Sequence, residues 1–231
     1  MNNRFKSSSI LFLGIIGLIT LTPQMAISIP TPSNYRRGGE DAQFIRNNFY
    51  SDSSVNDIFT RKVDLSGNGV REILVVNTNR IWCGSAGCAT EVYSYRNGKW
   101  ENILNFTGHG VFVMNTSTRG WKDLATNDNE RLRAIWTYNG REYDLGYFLD
   151  SKHNFRINPN QSSGSIIRAT NGFDGPGTNY AVRNRLTANQ SLSVYGSIKT
   201  NSGQTWYLSY VGGNSGRYNP FYVHESVLQI E

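Results

Sequence analysis

Thr90-Glu91-Val92-Tyr93-Ser94-Tyr95-Arg96, then Asn97-Gly98, then Lys99-Trp100-Glu101-Asn102-Ile103-Leu104, reads as two β-strands joined by a tight turn. The first run alternates with period two, so its side chains fall by turns on opposite faces of a sheet. Asn-Gly supplies two residues that tolerate positive φ, which makes it the strongest short-range hairpin signal in a sequence. A second hairpin follows in Arg133-Ala134-Ile135-Trp136-Thr137-Tyr138, the turn Asn139-Gly140, and Arg141-Glu142-Tyr143. Upstream, Glu72-Ile73-Leu74-Val75-Val76 is a short continuous apolar run, as expected of a buried strand. Aromatic content of 13%, with 23 Gly against 6 Pro, suits a chain built of strands and tight turns. One helix is expected, over residues 40–50. Ala42, Phe44, Ile45 and Phe49 stand at approximate helical spacing, and Glu40 and Asp41 occupy the first turn, where the helix dipole favours negative charge.

The start of the chain suggests export. Arg4 and Lys6 precede an apolar run from Ile10 to Leu21, followed by Pro23 and small residues. A basic segment, a short apolar stretch and a small-x-small site at Ala26-Ile27-Ser28 describe a cleaved secretory signal over residues 1–28, with cleavage after Ser28 or after Ala26. The run is shorter than the ~20 apolar residues a membrane span needs, so the mature chain is expected to be secreted or periplasmic and to carry no transmembrane segment. Residues 29–39, with Pro30, Pro32 and a Gly pair, read as a flexible leader. Of 23 Lys and Arg against 17 Asp and Glu, the signal removes Arg4 and Lys6, leaving 21 against 17, a net charge of +4. These basic residues are scattered, and no basic stripe points to nucleic acid.

Three motifs in the following region bear on chemistry. Asp64-Leu65-Ser66-Gly67-Asn68-Gly69-Val70-Arg71-Glu72 sets the oxygen-bearing Asp64, Ser66, Asn68 and Glu72 at alternating positions around a Gly. Calcium takes six to eight oxygens, and a Gly at the bend lets such a loop fold around the ion. The stretch resembles the Asp-x-Asn-Gly-Asp-Gly-x-x-Glu loop of FG-GAP-like repeats, which implies weak calcium binding by those four residues. With only two carboxylates, the competing reading is a Gly-Asn-Gly turn in which Asp64 accepts from local backbone N–H groups. Cys83 and Cys88, the only two cysteines, enclose four small residues, and in an exported chain they are expected to form a disulfide. Their spacing is not Cys-x-x-Cys, and two thiols do not complete a structural zinc site. His109, His153 and His224 stand in no metal or triad pattern, and the carboxylate pairs Glu40/Asp41, Asp123/Asp128 and Glu142/Asp144 have the density of ordinary surface. No catalytic residue is expected. The Asp64 loop, the Cys83–Cys88 segment, Gly108-His109-Gly110 and Gly120-Trp121-Lys122-Asp123-Leu124 together resemble a group of secreted bacterial proteins over residues 63–145, a likeness that brings no catalytic residues with it.

The last part of the chain carries the second resemblance. Ile167-Arg168, Gly175-Pro176-Gly177-Thr178-Asn179-Tyr180-Ala181-Val182, Leu186 to Val194, Thr205-Trp206-Tyr207-Leu208 and Tyr222 to Leu228 resemble the bacterial SH3-like (SH3b) family. Pro220-Phe221-Tyr222 stands where that family has Gly-Trp, and Asn171-Gly172-Phe173-Asp174 lengthens its first loop. The expected architecture is mainly β: an antiparallel β domain with one helix over residues 40–150, a linker over 151–164, and a small SH3-like β-barrel over 165–231. The resemblance implies a module that binds peptidoglycan or another cell-wall component. Flat rings with hydrogen-bonding tips suit a glycan or peptide groove, and the candidates are Asn179, Tyr180, Trp206, Tyr218 and Tyr222. Strand alternation puts Trp206 and Tyr207 on opposite faces, so one of the two is expected outward. The rival readings are a cell-wall hydrolase or regulator with its site in the first domain, and an adaptor that grips another envelope protein.

Overall fold

The strand pattern is realised as two antiparallel sheets in a computed structural model that describes residues 34–84, 87–127, 131–212 and 219–231. The expected signal over residues 1–28 and the start of the expected leader lie outside the described residues. The first sheet comprises β1 (Arg36–Arg37), β2 (Ile58–Val63), β3 (Glu72–Asn77), β4 (Cys83–Gly84), β5 (Gly87–Arg96) and β6 (Lys99–Gly108). β5 pairs with β3 and β4 along one edge and with β6 along the other. Asn97 and Gly98 both take positive φ, 51° and 81°, so the β5–β6 hairpin turns where the sequence placed it. Helix α1 (Gly39–Phe49) buries Ala42 and Ile45 against Ile58, Ile73, Val75 and Tyr93 on one face of this sheet.

Part of the expected leader belongs to the sheet. Arg36 and Arg37 pair with Thr60 and Phe59, and the Tyr35 hydroxyl both donates to Val111 O and accepts from Val111 N, each at 3.1 Å. Burial pushes the Tyr35 phenol up to about 12, since its anion would lose solvation there.

The second sheet holds β7 (Phe112–Thr118), β8 (Trp121–Asn127), β9 (Leu132–Tyr138), β10 (Tyr143–Asp150), β11 (Phe155–Ile166), β12 (Thr170–Phe173), β13 (Val182–Leu186), β14 (Ser191–Lys199), β15 (Thr205–Val211), β16 (Phe221–His224) and β17 (Leu228–Ile230). Its path runs β13-β12-β16-β15-β14-β11-β10-β9-β8-β7, with β17 added to β11. The β9–β10 turn spans four residues rather than two. Tyr138 pairs with Tyr143, and Asn139 Oδ1 accepts from the N–H groups of Arg141 and Glu142 at 2.7 and 2.9 Å.

The segment expected as a linker is instead the central strand of this sheet. β11 pairs with β10 through residues 155–157, with β14 through residues 158–165 and with β17 at its end. Only Ile157, Gly164 and Ile166 of its twelve residues are buried, which is why the stretch looks like polar loop. Hydrogen bonding therefore continues across the expected domain boundary. Among the described residues the sheet stays open: β13 and β7 end the path, and β17 has β11 as its one neighbour.

Alternation along these strands sorts the apolar residues into separate cores. Leu74, Val92, Ile103 and Leu104 of the first sheet meet Leu124, Tyr138 and Tyr143 of the second. Leu132, Phe148 and Ile157 pack with Tyr195, Trp206, Leu208 and Tyr222. On the other face of β14–β16, Leu192, Val194, Phe221 and Val223 close over Ile166, Leu186 and Leu228. The C-terminal strands thus lie between two cores, one of them shared with β9 and β10. Fully burying a side chain of this kind stabilises a fold by about 1.5–3 kcal/mol, so the shared core is a substantial attachment.

Candidate functional site: a groove on the C-terminal strands

The register of β15 on β16 sets Trp206 directly opposite His224, with ring centroids 5.0 Å apart and planes at 74°. Phe173 of β12 meets the Trp206 ring edge-on at 5.9 Å. These rings line a groove of about 830 Å³, bounded by the turn at Pro176–Asn179, by Arg185 of β13 and by the β14–β15 turn with Ser202 and Gln204. That volume lies within the range of small-molecule sites.

Two donors in this lining lack acceptors. His224 Nδ1 accepts from the Ser226 N–H at 3.2 Å, which leaves the ring proton on Nε2. Among the described residues, His224 Nε2 and Trp206 Nε1 are both buried without a hydrogen-bond partner. A buried donor left unpaired costs about 1–3 kcal/mol, and a ligand oxygen that reaches the groove floor offsets that cost. Arg185 is exposed at the rim, so the groove combines apolar rings, amide and hydroxyl groups, and one cation. That chemistry suits an acceptor-rich, uncharged or anionic ligand.

Of the sequence candidates, the groove gathers Asn179, which is exposed, and Trp206, which is 2% exposed. Tyr180 lies apart, its ring against Gly175, where a Cβ would fall 2.4 Å from it. Tyr222 is fully buried and is no groove residue, because β9–β11 cover the face it occupies. Tyr218 lies outside the described residues. The expectation that Trp206 or Tyr207 faces outward fails for the same reason. Trp206 packs into the core shared with β9–β11, while Tyr207 packs against the core on the other face. Phe173, Arg185, Gln204 and His224 were missed as groove residues, since only the pairing of β12, β15 and β16 brings them together.

Tyr222 instead joins a network of charge that binds the two halves of the second sheet. Its hydroxyl donates to Asp150 Oδ2 at 2.9 Å. Arg131 grips the same carboxylate, with Nη2 at 2.7 Å from Oδ2 and Nε at 3.2 Å from Oδ1, and reaches Asp174 Oδ1 with Nη1 at 2.9 Å. Lys152 and Arg183 also pair with Asp174. Burial alone would raise the Asp174 carboxyl, but the bonds from Lys152 and Arg183 and the charge of Arg131 outweigh it and hold the group down at about 2.

The loop considered for calcium closes on itself. Asp64 Oδ1 accepts from Gly67 N–H at 2.7 Å and Oδ2 from Gly69 N–H at 2.9 Å, both glycines at positive φ. Asn68 Oδ1 accepts from Val70 N–H at 2.8 Å. Glu72 is 1% exposed at the base of the loop, where the N–H of the loop's own Leu65 donates to Oε2 and Ser94 Oγ to Oε1; burial pushes its carboxyl up. Ser66 Oγ is buried without a partner. Cys83 and Cys88 form a disulfide, directly opposite each other across β4 and β5 with Cα atoms 3.9 Å apart. Asp123 is not surface as expected but 4% exposed on β8, while its companion Asp128 lies outside the described residues.

No family model, no curated protein and no solved structure matches the chain. Among the described residues, no helix is long and apolar enough to cross a membrane.

Proposed function

We propose that the chain is an exported bacterial envelope protein whose C-terminal strands form an SH3-like module that binds peptidoglycan or a related wall component. The observation that carries this reading is the groove, where Trp206 and His224 hold two unpartnered N–H donors beside Phe173, Asn179 and Arg185. Sugar hydroxyls, N-acetyl carbonyls and peptide carboxylates supply the acceptors this lining lacks. The C-terminal strands enclose a core of their own, which supports the module, and the Cys83–Cys88 disulfide and the N-terminal sequence support export.

Sedimentation of the full mature chain with protein-free sacculi tests the proposal. Arg185→Ala and Asn179→Ala alter exposed groove positions and are expected to weaken binding about 5- to 30-fold without changing the melting temperature. Variants that sediment like the parent would remove the groove from the function. Release of soluble muropeptides would favour the hydrolase, and binding only to protein-bearing envelopes would favour the adaptor.

A further inference from the structure

A second, chemically different pocket lies on the first sheet, beside the end of α1. The register sets Glu91 opposite Asn105 and Ala89 opposite Thr107, so the four side chains form one patch on β5 and β6. Tyr50, immediately after α1, and Ile81 and Trp82, just before β4, wall this patch into a cleft of about 400 Å³ with the disulfide at its rim. The Trp82 ring meets Tyr50 edge-on at 5.0 Å, and Trp82 and Ile81 remain 39% and 64% exposed.

The unusual group is Glu91, a carboxylate only 7% exposed. The hydroxyls of Tyr50 and Tyr93 both donate to the same oxygen, Oε2, each at 2.6 Å. No described residue donates to Oε1, which is not sealed from solvent, and no described Lys, Arg or His bridges to the carboxylate. Buried charges in proteins are normally paired, and two neutral donors leave the full negative charge in place. Burial and the Glu91 charge push both phenols up, so they remain protonated donors.

We propose that this pocket binds a primary alkylammonium group, with Glu91 Oε1 as its counter-charge. An ammonium has three N–H donors and no acceptor. The pocket offers the matching set: the free carboxylate oxygen, the side-chain oxygen of Asn105 and the hydroxyl of Thr107. The alkyl stem then lies along Ile81 and the face of Trp82, where a ring beside a cation adds attraction. A divalent metal lacks ligands here, because one carboxylate supplies too few oxygens and no group of three His, Cys, Asp or Glu is gathered among the described residues. Anions are repelled by Glu91. The ligand class therefore differs from that of the C-terminal groove, and the two sites are independent.

Calorimetric titration of the full mature chain with 1-aminopentane hydrochloride, at constant ionic strength, tests this. The isosteric 1-pentanol serves as the uncharged probe. Saturable binding of the amine in the roughly millimolar range is expected for so small a ligand, with the alcohol at least about tenfold weaker. Glu91→Gln is expected to weaken the amine about tenfold or more, and Trp82→Ala about threefold. Should Glu91→Gln fail to fold, Asn105→Lys decides, because it changes an exposed position and places the chain's own ammonium in the pocket; binding should vanish. Equal binding of amine and alcohol, undiminished binding to Glu91→Gln or Asn105→Lys, or no saturation up to about 50 mM amine would each overturn the proposal.

Discussion

Asp64 accepts backbone N–H groups with both carboxylate oxygens, so it holds the turn that was the competing reading of this loop. Asp64→Ala leaves Gly67 and Gly69 without those acceptors and should destabilise the fold by about 1–3 kcal/mol, charged acceptors being the stronger kind. Urea unfolding with and without millimolar calcium checks this: the loss should be the same in both. A calcium-dependent rise in stability of the parent, absent in the variant, would favour the ion-binding reading. Cys83 and Cys88 give a second residue-scale prediction. Neither should be alkylated without reductant, as mass spectrometry reads directly, and the double Ala variant should lose about 2 kcal/mol, the chain-entropy contribution of so short a loop. Both features were legible because their chemistry is local: a Gly-Asn-Gly turn and two thiols five positions apart answer to neighbours in sequence. The aromatic candidates were not. Tyr222 and Trp206 carry a suitable ring and tip, but whether a ring is floor, wall or core depends on which distant strand covers it.

Among elements, the Asn97-Gly98 hairpin and α1 needed only turn chemistry and spacing, and both formed close to the expected bounds. β11 could not be read this way. Its Asn-Pro and Ser-Ser pairs look like loop, and its place in the sheet is imposed from outside by β10, β14 and β17. Gly196 marks how closely β14 is drawn in. A Cβ there would stand 2.0 Å from Asn158 O and 3.0 Å from the Ile157 side chain, next to the register shift between Val194 and Gly196. Gly196→Ala must therefore push β14 off β11 and is expected to cost about 2–4 kcal/mol in chemical denaturation. Gly203→Ala, at an open turn position where φ is +84°, should cost only about 1 kcal/mol. Equal losses would show that β11 and β14 are not held as described.

At the scale of the whole molecule, the charge network at Asp150 and Asp174 and the core around Trp206 and Tyr222 make the C-terminal strands depend on β9 and β10. Separated as residues 165–231, those strands would expose Tyr195, Trp206, Leu208 and Tyr222 on one face, and an apolar patch of that kind promotes association. Asp174 supplies the sharpest test of the joint, because its carboxyl is held at about 2 while an ordinary Asp in the unfolded chain titrates near ~3.9. A folded-state value below the unfolded one means that ionised Asp174 stabilises the native protein. The contribution is complete above about pH 4 and is lost as pH falls through about 2. Asp174→Asn leaves Lys152 and Arg183 facing a neutral group, while Arg131 keeps Asp150, and should cost about 2–3 kcal/mol at neutral pH. The gap between parent and variant, read from unfolding midpoints, should narrow between about pH 4 and pH 2 as the parent loses the same charge. A gap that stays constant across that window would mean that the cations are satisfied elsewhere and that the joint rests on the shared apolar core alone.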